Sequence, residues 1–182
     1  MAVRRFQEST PESSPFKDEV EVLNYALTLE HLEATFYRDG LEMFDNAAYE
    51  AAGYQSAVRD YVAEIGKHEA EHVEALTAAI ESLEGEPVEE AEYDFGYTDL
   101  TTFLATAAAV ENLGVAAYTG AAQYLIDNDD LLTAALTIHG VEARHAAYLN
   151  VVTGSDSPFP NAVDAPMTPD EVLAIAGPFI TS

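Results

Sequence analysis

Four stretches of this chain carry apolar residues at alternating spacings of three and four, and glutamate breaks each stretch near its middle. The first seam reads Val20, Leu23, Leu27, Glu30, Ala34, Tyr37, Leu41, and the third Leu104, Ala108, Glu111, Val115, Tyr118, Ala122, Leu125. The second reads Val58, Val62, Ile65, Glu69, His72, Leu76, Ala79, and the fourth Leu131, Ala135, Ile138, Glu142, His145, Leu149, Val152. Such spacing belongs to helices packed side by side around one axis. A carboxylate among leucines is unfavourable unless it is paired, hydrogen-bonded or bound to metal. Four of them in one bundle therefore call for cations between them. The pattern constrains fold and chemistry together: an all-α, antiparallel four-helix bundle around a dinuclear metal site.

The two halves of the chain match in phase. Glu30 and Tyr37 recur as Glu111 and Tyr118, and Glu69-x-x-His72 recurs as Glu142-x-x-His145. Residues i and i+3 share a helix face, so each Glu-x-x-His offers an oxygen and an imidazole nitrogen to one metal. The predicted ligands are Glu30, Glu69, His72, Glu111, Glu142 and His145. Four carboxylates and two imidazoles suit a pair of iron or manganese ions. Glu33 rivals Glu30, because Val22, Ala26, Leu29, Glu33 and Phe36 form a second apolar line; the match to Glu111 favours Glu30. Tyr37 and Tyr118, two turns from the lone glutamates, are candidates to hydrogen-bond the ligands, with core packing as the plainer alternative. His31, His68 and His139 have no counterpart in the other half and are expected at the surface or around the ligands.

Helical periodicity covers about 18–39, 55–84, 98–127 and 129–152. Asp18 is the expected start of the first helix. Between the second and third helices lies an acidic connector, Gly85 to Tyr97. At about 3.3 Å per extended residue it spans roughly 40 Å, enough to run the length of the bundle. Asn128-Asp129-Asp130 permits only a hairpin, and Gly40 to Tyr54 has room for a short helix around 42–51. Two hairpins joined by one long crossover follow. Residues 1–16 read as a flexible arm, 17–154 as the bundle, and 155–182 as a proline-rich extension with a short helix near 169–176. Phe159, Leu173, Ile175 and Phe179 are expected to pack that extension on the bundle.

Composition narrows the functional classes. With 33 acidic and 7 basic residues among 182, the chain carries a formal charge of -26. That excludes nucleic acid as a natural partner. It also predicts self-repulsion relieved by salt, whose Debye length falls to about 3 Å at molar strength, and hence the cytoplasm of a high-salt cell. The absence of cysteine excludes disulfides, thiolate metal sites and thiol nucleophiles. Arg4-Arg5 precede a polar stretch, Gln7 to Glu19, where an export signal needs an apolar one. No uninterrupted apolar run reaches the roughly 20 residues of a membrane span, so no membrane partner is expected.

With these residues in view, the chain resembles a ferritin-like domain of the branch that includes plant and microbial desiccation-related proteins. The likeness runs from residue 18 to 180. It rests on LNYALTLEHLEATFY at 23–37, HEAEHVEAL at 68–76, ENLGVAAYTGAA at 111–122, VEARHAAYL at 141–149 and PFPNAVDAP at 158–166. The resemblance implies the same six ligands. More remotely the chain is similar to rubrerythrins and manganese catalases, which implies a carboxylate-bridged iron or manganese pair acting on oxygen or peroxide. Unlike rubrerythrin it has no Cys-x-x-Cys, so electrons must come from an external donor unless peroxide is dismutated. The proline-rich tail offers no long fifth helix of the kind cage-forming ferritins carry, which ranks iron storage low. The expected function is a dinuclear metal oxidoreductase in stress protection. The alternative is a non-enzymatic desiccation or stress protein whose site is structural or empty. Alanine-rich outer faces allow a homodimer.

Overall fold

The computed structural model describes residues 14–154 and 157–182. Four long helices form the bundle: α1 (Glu19–Met43), α3 (Ser56–Ser82), α4 (Leu100–Ala121) and α5 (Asp129–Val152). Two short ones flank them, α2 (Asn46–Ala51) in the first hairpin and α6 (Pro169–Ala176) near the C-terminus. Local chemistry sets most of the starts. The side chains of Asp18, Asp45 and Asn128 each accept a hydrogen bond from a backbone N–H in the first turn. Asp99 with Thr102 and Thr168 with Glu171 form reciprocal capping boxes. Each cap contributes about 1 kcal/mol.

Helix α1 packs along α3, and α4 along α5, while the two hairpins meet chiefly through α1 and α4. The extended crossover climbs beside α1, which reads it almost turn by turn. The Asn24 amide donates to Glu86 O and its carbonyl accepts from Val88 N–H. Further along, Thr35 and Arg38 both donate to the Glu90 carboxylate. At the top Phe36 stacks on Phe103 at 4.8 Å and meets Phe95 and Tyr97 edge-on. The acidic connector is thus fastened by named contacts to one helix, Glu90 included, although the run Glu89–Glu92 reads as solvated loop in sequence.

Two apolar clusters fill the interior. One gathers Leu23, Leu27, Leu76, Ile80, Leu113, Leu125, Leu131 and Ile138. The other gathers Phe36, Val62, Ile65, Leu100, Phe103, Leu104 and Leu149. The glutamate layer lies between them, where the seam predicts it.

Several expectations need correction. The third helix is α-helical only to Ala121 and then tightens into a 3-10 turn, Ala122–Leu125, as helix ends commonly do. Residues 1–13 of the expected arm lie outside the described residues, but Phe16 packs on Tyr25 and Tyr124 at 5.4 and 5.3 Å. In the C-terminal extension Phe159, Leu173 and Ile175 are exposed, and Pro169, Val172 and Ala176 are buried instead. A helix of this length has one inward face, and the 169, 172, 176 spacing claims it. Phe179 does pack against the core, as expected. Among the described residues Leu100–Leu125 is long and apolar enough on average to cross a membrane, a feature hidden by Glu111 when only unbroken runs are sought. In the bundle its apolar residues line the interior.

Candidate metal centre

All six predicted ligands converge in the layer between the two apolar clusters. Glu30, Glu69, Glu111 and Glu142 are fully buried, and His72 and His145 are 8% and 5% exposed. His72 Nδ1 lies 2.9 Å from Glu69 Oε2, 3.2 Å from Glu30 Oε2 and 3.2 Å from Glu142 Oε1. His145 Nδ1 lies 2.8 Å from Glu69 Oε1 and 3.2 Å from Glu111 Oε2. Two four-residue groups result, each with ligand atoms within 4.8 Å of one another: Glu30, Glu69, His72, Glu142 and Glu69, Glu111, Glu142, His145. Glu69 and Glu142 belong to both groups.

Distance and direction disagree here in an informative way. His145 Nδ1, Glu69 Oε1, Glu111 Oε2 and Glu142 Oε1 make contacts short enough for ion pairs, yet neither they nor Glu142 Oε2 have a hydrogen-bond partner of acceptable angle. Direction is the better guide, because hydrogen bonds weaken steeply when bent. Buried polar atoms without partners are rare. These five point into shared space, which suits cations. The donor set, hard carboxylate oxygens with two imidazoles, fits iron or manganese.

The electrostatics say the same. Burial, then Glu111, pushes the Glu69 carboxyl up to about 7 against the pull of the close His145 and His72 imidazoles. Burial, then Glu111 and Glu69, holds Glu142 well above the carboxylate range. Burial disfavours charge on the imidazoles, but the close carboxylates of Glu142, Glu30 and Glu69 outweigh it at His72, which rises to about 12. The carboxylates of Glu111 and Glu69 likewise lift His145 to about 9. Without metal, protons are the cations that the layer holds.

Around the ligands the two-fold pattern becomes an exchange between halves. Tyr37 donates to Glu111 Oε1 and Tyr118 to Glu30 Oε1, each at 2.5 Å. Burial foremost, then the Glu111 and Glu30 charges, holds both phenols well above their ordinary range. Both remain donors.

Of the other histidines, His31 bonds Val88 O and His139 contacts Thr119. His68 is closer to the site than its sequence suggests. Its Nδ1 is 2.9 Å from His145 Nε2 with the rings stacked. With His145 Nδ1 turned to the carboxylates, its Nε2–H donates to His68 and the ring orientation is held. The available signal was position i−4 from His72. His68, His72 and His145 edge a cavity of about 420 Å³ between α3 and α5, walled by Tyr61, Ile65 and Tyr148. Glu33 is the other residue that the seam undervalued. It is 3% exposed, so α1 buries both its apolar lines, but of the two glutamates only Glu30 falls in a candidate ligand group.

Residues 18–155 match the family model described as ferritin-like domain. No curated protein matches the chain.

Proposed function

From the premise that this chain belongs to the ferritin-like domain family, we propose that its bundle holds two iron or manganese ions and reacts with peroxide or oxygen in stress protection. The observation that carries this reading is the set of five buried, partnerless ligand atoms converging between the helices. Glu30, Glu69, His72 and Glu142 would hold one ion and Glu69, Glu111, Glu142 and His145 the other. A bound pair of such ions supplies electrons to, or takes them from, an O–O bond.

The chain's own residues prepare the site for that chemistry. Tyr37 and Tyr118 hold one oxygen each of Glu111 and Glu30; the second oxygen of Glu111 is without a partner and that of Glu30 lies beside His72 Nδ1, where an ion would take them. The apolar clusters above and below keep bulk water from the carboxylates. The cavity between α3 and α5 gives small oxidants an approach beside the two imidazoles. With no cysteine in the chain, turnover needs an external donor. Dismutation of two peroxide molecules to oxygen and two waters needs none. The net charge of -26 supports work inside a high-salt cell.

The test is metal analysis of protein purified in high salt and supplied with iron and manganese, beside Glu69→Ala and His72→Ala controls. Two ions per chain, lost in the controls, are expected, with peroxide consumption that tracks metal content. Less than one ion per chain would sink the dinuclear reading. Two ions with peroxide and oxygen untouched would favour a structural role, which the hydrogen bonds of His72 to Glu30 and Glu69 already permit.

A further inference from the structure

The cavity between α3 and α5 is larger than a small oxidant needs. It encloses about 420 Å³, whereas a water takes about 30 Å³ of liquid and peroxide is little larger. Cavities of this size hold organic molecules. Its walls are apolar and aromatic. Ile65 and Tyr61 face it from α3, Val141 and Tyr148 from α5, and the two tyrosine rings meet edge-on at 5.5 Å. Tyr61 is 51% exposed, so the aromatic wall is open to a guest ring, which such rings contact edge-on or offset.

The polar groups of the cavity are divided between its sides. Glu64 and Glu71 stand on α3 and Arg144 on α5. Among the described residues every other lysine and arginine has an acceptor. Lys17 pairs with Asp18, Arg38 with Glu90 and Lys67 with Glu71, and Arg59 donates to the carbonyls of Leu41 and Phe44. Arg144 has none, in a chain with 33 acidic residues. A guanidinium offers a fork of donors that matches a carboxylate. At the inner end His68 Nδ1 meets His145 Nε2 at 2.9 Å, and His145 Nδ1 faces Glu69 and Glu111. Two imidazoles in a row connect the cavity with the ligand layer.

We infer that this cavity binds the external electron donor, and that the donor is a hydroxylated aromatic carboxylate. Its carboxylate pairs with Arg144, its ring lies against the tyrosines, Ile65 and Val141, and its hydroxyls donate toward Glu64 and Glu71. A ring without a carboxylate leaves Arg144 unpaired, and an aliphatic acid leaves the aromatic wall bare. Oxidation of a hydroquinone ring to the quinone releases two electrons and two protons. One peroxide takes up both as its O–O bond breaks, and two waters form. The donor role rests on the reaction proposed above, whereas binding to the cavity requires no metal.

The experiment separates the two. Metal-free protein in high salt is titrated calorimetrically with gentisate, a hydroquinone that carries a carboxylate, and with plain hydroquinone. One gentisate per chain is expected, bound more tightly than hydroquinone. Arg144→Gln should weaken gentisate at least fivefold and change hydroquinone less than twofold. Val141→Phe, which fills the cavity, should weaken both, and circular dichroism checks that each variant is folded. With metal-loaded protein, gentisate should be oxidised to its quinone one for one with peroxide, and Arg144→Gln should raise KM for gentisate at least fivefold. No gentisate bound by wild type, or binding that neither substitution alters, overturns the inference and leaves the dinuclear reading standing. Peroxide consumption that leaves bound gentisate unoxidised does the same. Gentisate bound by a protein that takes up no metal overturns the proposed function, and the donor role with it.

Discussion

At Glu69 the folded protein holds a proton more tightly than the unfolded chain does, because burial and Glu111 raise its pKa from 4.5 to about 7. A raised pKa contributes stability that is present below the unfolded value and lost as pH climbs through the folded one. His72, lifted from 6.5 to about 12, acts in the same sense over a higher window. The Tm of metal-free protein, held at constant high salt, should therefore fall from pH 5 to pH 9, and less steeply in Glu69→Gln. Metal reverses the dependence, since ions replace those protons. Binding should tighten as pH rises and release protons, seen by calorimetry in two buffers of different ionisation enthalpy. The tyrosines supply a second prediction. Tyr37→Phe removes the hydroxyl from Glu111, and Tyr118→Phe removes it from Glu30. Bonds to ionised groups contribute about 1.5–3 kcal/mol, and loss of such supports weakens metal binding about 10–100-fold. Manganese titration of each variant checks this, and wild-type affinity in both would show that the phenols only pack.

At the scale of elements, the docking of α6 turns on a backbone contact rather than on its apolar side chains alone. The segment before it crosses α4 at Gly120, where a Cβ would lie 1.9 Å from Met167 O, and Met167 N–H donates to Ala116 O. Neither backbone can yield as a flexible side chain would. Gly120→Ala should thus lift the C-terminal segment from α4 and destabilise the protein by about 1–3 kcal/mol, the usual range for overpacking. A drop in the urea midpoint with earlier proteolysis beyond residue 157 is the expected outcome, and an unchanged midpoint would mean that the crossing relaxes freely. The helices themselves were legible from spacing, and so were most of their starts, since caps are local chemistry. The inward face of α6 was not. Phe159, Leu173 and Ile175 are as apolar as Val172 and Ala176, and only the angle at which the tail meets α4 selects between them.

For the whole molecule, charge dominates. The ion pairs of the described lysines and arginines, Lys17 with Asp18, Arg38 with Asp39 and Glu90, and Lys67 with Glu71, are exposed and individually weak. They leave most of the formal charge of -26 unbalanced. Raising salt from about 0.1 to 1 M cuts the Debye length from about 10 to 3 Å, so the urea midpoint should rise steeply over that range. A flat response would contradict the high-salt reading. By itself the sequence determined the four helices, their order, the long crossover and six Glu and His positions. Helical periodicity is a local property, and a carboxylate inside an apolar seam is a contradiction visible without coordinates. Only the tertiary structure decided that Tyr37 serves Glu111 rather than a ligand of its own half, that His68 backs His145, and that Glu33 is buried as deeply as its neighbours. Those facts depend on how far apart the helices stand and how each is rotated about its axis. Spacing along one chain carries neither quantity, because both are set by the side chains of the opposite helix.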